Sequence, residues 1–217
     1  MEPLSLDHVA LWVADRERMA STAIERLGVR VIEQTDRFTL LGADARRGKL
    51  TLFDAPGSDG AAPRERGALA RIGLRVGSLD GREASVDLGE GVEVALVETP
   101  DGAELDLDHV ALFGGDPEAA LQGWEDLGFT RVGDRRLEVG GAFLELVEGD
   151  PGSPERPLLN HIGVLVESVA DHQAAAEDLG VEIDDLVDAP NTLALFVWGP
   201  DRVKLEYIEH KPSFSLT

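Results

Sequence analysis

Short runs of alternating hydrophobic and polar residues recur along this chain, and the runs repeat. LSLDHVALWV at 4–13 returns as LDLDHVALFG at 105–114, an offset of 101 residues from His8 to His109. Each copy leads into a stretch with helical spacing of apolar residues, Arg16 to Gly28 and Pro117 to Gly128. Both stretches end in Leu-Gly, and glycine suits a helix C-cap because it enters the left-handed region without a Cβ penalty. Short β-prone runs follow: VRVIEQ, FTLLGA and KLTLFDA in the first copy, FTRVGD, RRLEVGG and AFLELVEG in the second. The pattern predicts strand, helix, strand, strand, strand.

The unit recurs within each half. LLNHIGVLV at 158–166 opens a further copy, with a helix predicted from Val169 to Gly180 and NTLALFVWG and RVKLEYIEH as later strands. ARIGLRV at 70–76 opens an eroded copy, with a short helix predicted around Gly81 to Leu88. VEVALVE and AELDLDH are the expected last strands of that copy. The chain therefore reads as four βαβββ modules, with a seam near Glu104 and linkers at 54–67 and 149–157, where Gly, Pro and Asp cluster. The expected fold class is α+β: two tandem halves, 1–104 and 105–217, each an open curved mixed sheet with helices outside.

Alternation also sorts the ionisable residues. Side chains on a strand point to opposite faces in turn. His109 shares a face with Ala111 and Phe113, and His161 shares one with Gly163 and Leu165. Glu145 interrupts FLELV and Glu206 interrupts KLEYI, each opposite the apolar packing face. The two histidines hold matched positions in the first strands of modules three and four, and the two glutamates in the last strands. Two His/Glu pairs related by a local two-fold suit one divalent ion, with positions left for water or substrate. The metal set expected from the sequence is thus His109, Glu145, His161 and Glu206.

In the first half only His8 is retained. The positions matching Glu145, His161 and Glu206 are Thr51, Arg71 and Asp106. This half is expected to be degenerate, with His8 a relic or a residue bonded within its own cup. His172, between Asp171 and Gln173, is expected to be solvated, and Trp198 to lie near the mouth of the cup.

Composition narrows the class. Of 217 residues, 43% are hydrophobic, enough for a globular core. No apolar run is long enough to span a bilayer. MEPLSLDHVA shows no basic or apolar leader, so a cytoplasmic location is expected. There are no cysteines, which removes disulfides, thiolate catalysis and cysteine-bound zinc. The net charge of −22 repels phosphate backbones and argues against nucleic-acid binding. The charge excess reads first as a solvated surface; the sharper alternative is a salt-loving host, since such self-repulsion is relieved when salt shortens the screening length to roughly 3 Å, and that alternative expects a melting temperature that rises with added KCl. The acidity is uneven: residues 1–104 carry −6 and residues 105–217 carry −16.

With DHVAL at 108–112, FLEL at 143–146, NHIGVLV at 160–166 and ALFVWGPDRVKLEYIE at 194–209, the chain resembles the vicinal oxygen chelate superfamily. That group includes glyoxalase I, methylmalonyl-CoA epimerase, extradiol dioxygenases and the fosfomycin and bleomycin resistance proteins. The resemblance implies paired βαβββ modules around a metal. Ligands at all four positions imply a glyoxalase- or epimerase-like lyase or isomerase with Zn, Ni, Co or Mn. Such an enzyme chelates vicinal oxygens of a small-molecule substrate and stabilises an enediolate. Glu206, with Glu145 second, is then the catalytic base. Arg131, Arg135 and Arg136 are the cations that could offset local acidity toward an anionic substrate, with a solvated strand edge the first reading for at least two of them. The alternative is an extradiol dioxygenase, with Fe(II) on His109, His161 and Glu206. That class also uses a His and a Tyr, which NTLALFVWGPD lacks. A non-catalytic binding or resistance protein is the third reading. Open modules leave a homodimer as a further expectation.

Overall fold

The computed structural model describes residues 1–55, 65–99, 105–155 and 157–214. The seam expected near Glu104 and most of the linker expected at 54–67 lie outside the described residues. Module one comprises β1 (Ser5–Val13), α1 (Arg16–Leu27), β2 (Arg30–Gln34), β3 (Phe38–Gly42) and β4 (Lys49–Asp54). Module two comprises β5 (Leu69–Val76), β6 (Ser85–Asp87) and β7 (Glu93–Glu98). Module three comprises β8 (Leu107–Gly114), α2 (Pro117–Asp126), β9 (Thr130–Gly133), β10 (Arg136–Val139) and β11 (Ala142–Glu148). Module four comprises β12 (Leu159–Leu165), α3 (Val169–Leu179), β13 (Ile183–Asp188), β14 (Thr192–Trp198) and β15 (Lys204–His210).

The fold class is α+β with two open mixed sheets, as the repeat pattern implied. Capping explains the helix ends. Asp15, Asp116 and Ser168 accept from backbone N–H groups of the first turns, and Gly28 and Gly180 close α1 and α3 in the left-handed region.

Three elements differ from the sequence expectation. The helix expected around 81–88 does not form. Asp80 and Gly81 both take positive φ, which breaks a helical turn, and β6 occupies the segment instead. Of AELDLDH, whose first two residues lie outside the described residues, the part from Leu107 on opens β8, and β7 takes the closing place of module two, parallel to β5. A strand at 183–188 was also not expected. IDDLVD is acidic and largely exposed at a sheet edge, so it carries little apolar alternation.

The larger difference lies in how the modules pair. One sheet runs β13-β14-β15-β12-β1-β4-β3-β2, and the other β6-β7-β5-β8-β11-β10-β9. Module one therefore joins module four through antiparallel β1 and β12, and module two joins module three through β5 and β8. Each sheet draws on both halves of the sequence. Ahead of β5 and β12, Glu65 bridges Pro157 and its carbonyl accepts from the Leu158 N–H. A single buried cluster, from Leu6 through Trp124 to Tyr207, runs through all four modules.

Candidate metal centre

Register puts one residue from each first strand and one from each last strand on the inner face of each cup. In the β1–β12 cup, Ala10 pairs with both His161 and Thr51, and Gly163 pairs with both His8 and Glu206. In the β5–β8 cup, Gly73 pairs with His109 and Ala95, and Ala111 pairs with Arg71 and Glu145. The positions are thus His8, Thr51, His161 and Glu206 in one cup and Arg71, Ala95, His109 and Glu145 in the other. Ala95, rather than Asp106, matches Glu206 in module two.

A bulge precedes each histidine. Asp7, Asn160 and Asp108 are the extra residues in their ladders, so each turns inward beside the histidine that follows. The opposing strand makes room with glycine. A Cβ on Gly163 would lie 2.5 Å from His8 Cε1, and one on Gly73 would lie 2.4 Å from His109 Cε1.

The four residues expected to share a metal are divided between these cups. His161 and Glu206 line the first, while His109 and Glu145 line the second. Among the described residues, the one group of three or more His or carboxylate ligand atoms within 4.8 Å of one another is His8, His161 and Glu206. His8, expected to be a relic, completes that group, because β1 pairs with β12. The repeated DHVAL motif was its sequence signal. What hid it was the assumption that modules pair within each half.

His8 Nε2 lies 2.9 Å from His161 Nε2 and 3.2 Å from Glu206 Oε2, and His161 Nε2 lies 3.0 Å from the same oxygen. All three residues are buried, and Glu206 Oε2 accepts no well-formed hydrogen bond. The donor set suits a divalent ion. Three atoms about 3 Å apart can share one at ordinary bond lengths of about 2.0–2.2 Å. The outer nitrogens are fixed as a ligand site needs. His8 Nδ1 donates to Asp7 Oδ2 at 3.0 Å and His161 Nδ1 donates to Asn160 Oδ1 at 3.0 Å, which turns both Nε2 atoms inward.

Charge is tightly coupled here. Burial opposes the imidazolium of His8, but Asp7 and Glu206 outweigh it and raise its pKa to about 9. Burial likewise opposes ionised Glu206, yet His161 and His8 bring its pKa down to about 2. Burial lowers that of His161. Asp7, against its own burial, is held well below the carboxylate range by Lys49 and His8. Lys49 Nζ stands 2.8 Å from Asp7 Oδ1.

Around this group the cup encloses about 460 Å³. Phe196 and Phe53 stand 5.3 and 6.2 Å from the His161 ring, and Phe38 packs on Phe53 at 5.9 Å. Lys49, Thr51, Ile208, His210 and Phe214 also line the cavity.

The second cup is closed by an internal cation. Arg71 Nε donates to His109 Nε2 at 3.0 Å, and its terminal nitrogen donates to Glu145 Oε2 at 2.5 Å. Arg136 adds a contact to Glu145 Oε1 at 3.4 Å. His109 Nδ1 donates to Asp108 Oδ2 at 2.7 Å, which with Arg75 holds that carboxylate below its ordinary range. Arg131, Arg135 and Arg136, expected to offset acidity near the metal, lie on the second sheet and pair with Glu118, Glu148 and Glu145. Trp198 does not line the first cup. It sits under Arg202 and Lys204 and donates to Asp184. His172 is buried rather than solvated, against Tyr207 at 4.8 Å and the Ser168 carbonyl at 2.8 Å.

Residues 106–207 match the family model described as the Glyoxalase/Bleomycin resistance protein/Dioxygenase superfamily. That segment spans modules three and four, one from each sheet. The chain is similar in fold to a "putative dioxygenase" from Bacillus subtilis, at 16% identity and a TM-score of 0.74, over 97% of this chain and 86% of the other. It is also similar to glyoxalase I from Zea mays, at 18% identity and a TM-score of 0.70, over 94% and 92%. A third likeness is the cppA protein of Streptococcus pneumoniae, at 16% identity and a TM-score of 0.62, over 95% and 98%. No curated protein matches the sequence. The family match thus covers residues 106–207, and the likeness to these solved structures extends over nearly the whole chain as one of fold.

Proposed function

We propose that the protein is a ring-cleaving dioxygenase of the extradiol type, acting on small vicinal diols in the β1–β12 cup. The observation that carries this reading is the ligand set: two imidazoles and one carboxylate converge, and the fourth position is Thr51, a neutral hydroxyl. A 2-His-1-carboxylate face with open positions is the pattern of non-haem iron(II) oxygenases. His8, His161 and Glu206 would hold the ion. When bound, it supplies Lewis acidity toward the diol and a site for dioxygen.

The rest is the chain's own contribution. Phe38, Phe53 and Phe196 form an apolar wall that seats a ring and excludes water. The stretch NTLALFVWGPD gives the cup Phe196 and no ionisable group. His210 is the cup's imidazole outside the ligand set, and burial lowers its pKa, which favours the neutral ring that a proton acceptor requires.

The lyase or isomerase reading asks for a second carboxylate as fourth ligand, or a free base, at the metal. Thr51 is neither, and Glu206 is engaged with His8 and His161 at 3.2 and 3.0 Å. The test is anaerobic loading with Fe(II), then exposure to catechol in air-saturated buffer. Dioxygen uptake equimolar with catechol, together with a coloured ring-fission product, is the expected result. Conversion of a glutathione hemithioacetal by the Zn- or Ni-loaded protein, with no dioxygen uptake, would replace this reading with the lyase one. Absence of bound metal after loading would leave the non-catalytic binding protein.

A further inference from the structure

The cup of the candidate metal centre has two chemically different sides. Rings of Phe38, Phe53 and Phe196 gather on the His161 side. Asp7 and Lys49 gather on the His8 side. Lys49 is one of three lysines in the chain and is only 3% exposed. Lysine is rarely buried without a reason, since a desolvated ammonium is costly unless it is paired. Alternation along β4 turns Lys49, Thr51 and Phe53 into the same cavity. Lys49 pairs in register with His8 of β1, so it stands one strand spacing, about 4.8 Å, from a ligand-bearing residue.

Its pairing is incomplete. An ammonium has three donors. Among the described residues Asp7 is the one carboxylate within ion-pair distance, and the other oxygen of Asp7 is engaged by His8. Donors on Lys49 therefore remain for a molecule in the cavity. A chain of net charge −22 repels anions at long range. That repulsion is screened beyond about 8–10 Å in ordinary salt, whereas a contact inside a low-dielectric cup is not. Glu33 also lines the cavity and opposes an anion there. Arg37, on the same lining, offsets it.

We propose that the cup selects vicinal diols bearing a carboxylate on the carbon next to the diol, and that Lys49 recognises that carboxylate. This deepens the diol reading above and rests on it. The ring lies against the phenylalanine wall, the two oxygens face the His8, His161 and Glu206 group, and the carboxylate completes the donor set of the ammonium. The neighbouring carbon is specified because Lys49 is only one strand away from His8.

The test is calorimetric binding to Mn(II)-loaded protein, which reads affinity without turnover. The probes are catechol, 2,3-dihydroxybenzoate and 3,4-dihydroxybenzoate. The 2,3-isomer is expected to bind about tenfold more tightly than catechol, and the 3,4-isomer about as tightly as catechol. Lys49→Met collapses the preference and Lys49→Arg retains most of it. Because Lys49→Met strands a buried carboxylate, the Asp7→Asn/Lys49→Met pair is measured beside it and is expected to lose the preference too. The readout is the ratio between diols, so a general loss of affinity cancels. A wild-type protein without the preference, or a double variant that keeps it, overturns the proposal while leaving diol binding intact. If no diol binds the Mn(II)-loaded protein, the ring-cleavage reading falls and this one falls with it.

Discussion

The two cups are built to one plan and have opposite endings. Each presents a first-strand histidine, a bulged residue that holds its Nδ1, a glycine that admits its ring and a last-strand glutamate. In one cup the partner module adds a second histidine, so three lone-pair donors face one point. In the other it adds Arg71, whose guanidinium reaches the histidine and the glutamate together. An arginine carries a permanent charge in a rigid fork and so supplies the positive charge that an ion would otherwise bring. The lesson is that a strand scaffold fixes where four side chains meet, while the residue facing the histidine decides whether lone-pair donors or a guanidinium fill that place.

The comparison is broken most severely at the ligands. His8→Ala is expected to reduce bound metal to a trace and turnover by about 100-fold or more, because even outer partners of metal ligands are worth 10–100-fold. His109→Ala is expected to leave metal content and turnover intact. Elemental analysis and steady-state kinetics on both variants check this, and an equal loss in the two would overturn the assignment of the site to the β1–β12 cup.

The next effect is a gain. Arg71→His places an imidazole opposite His109 and frees Glu145, so the stoichiometry in a Zn(II) or Mn(II) titration is expected to rise from one ion to two. A variant that still takes one ion would show that Arg71 is not what keeps metal out of the second cup.

Smaller changes sharpen the parallel. Gly163→Ala and Gly73→Ala each press a Cβ into a histidine ring, and each is expected to cost about 1–3 kcal/mol in urea unfolding. Of the two, only Gly163→Ala is expected also to weaken metal retention. The smallest effect is on pH dependence. His109 and Arg75 hold Asp108 below the normal carboxylate range. Its stabilising contribution is therefore present above its unfolded pKa of about 3.9 and is lost as pH falls through the lower folded value. Asp108→Asn should be less stable than the parent near neutrality, and the gap should narrow in acid. A gap independent of pH would show that the carboxylate charge is not what matters there.

Much of this molecule was legible in its residues. The repeat with its DHVAL motif, the capped helices, the strand alternation and the inward histidines and glutamates all follow from local patterns. His161 and Glu206, which the structure brings together with His8, were singled out by that route. His8 was seen and set aside, and the helix around 81–88 and the acidic strand β13 were misjudged, because positive φ at Asp80 and pairing at a sheet edge leave weak traces in sequence.

By itself, the sequence determined which residues point inward and that they occur in matched sets, since strand geometry has a period of two and needs no knowledge of the partner. Only the tertiary structure decided which sets face each other. The apolar faces of four similar modules fit one another almost interchangeably, so local pattern does not distinguish pairing one with two from pairing one with four. Pairing β1 with β12 brought His8 to His161 and Glu206, and pairing β5 with β8 gave His109 and Glu145 an arginine.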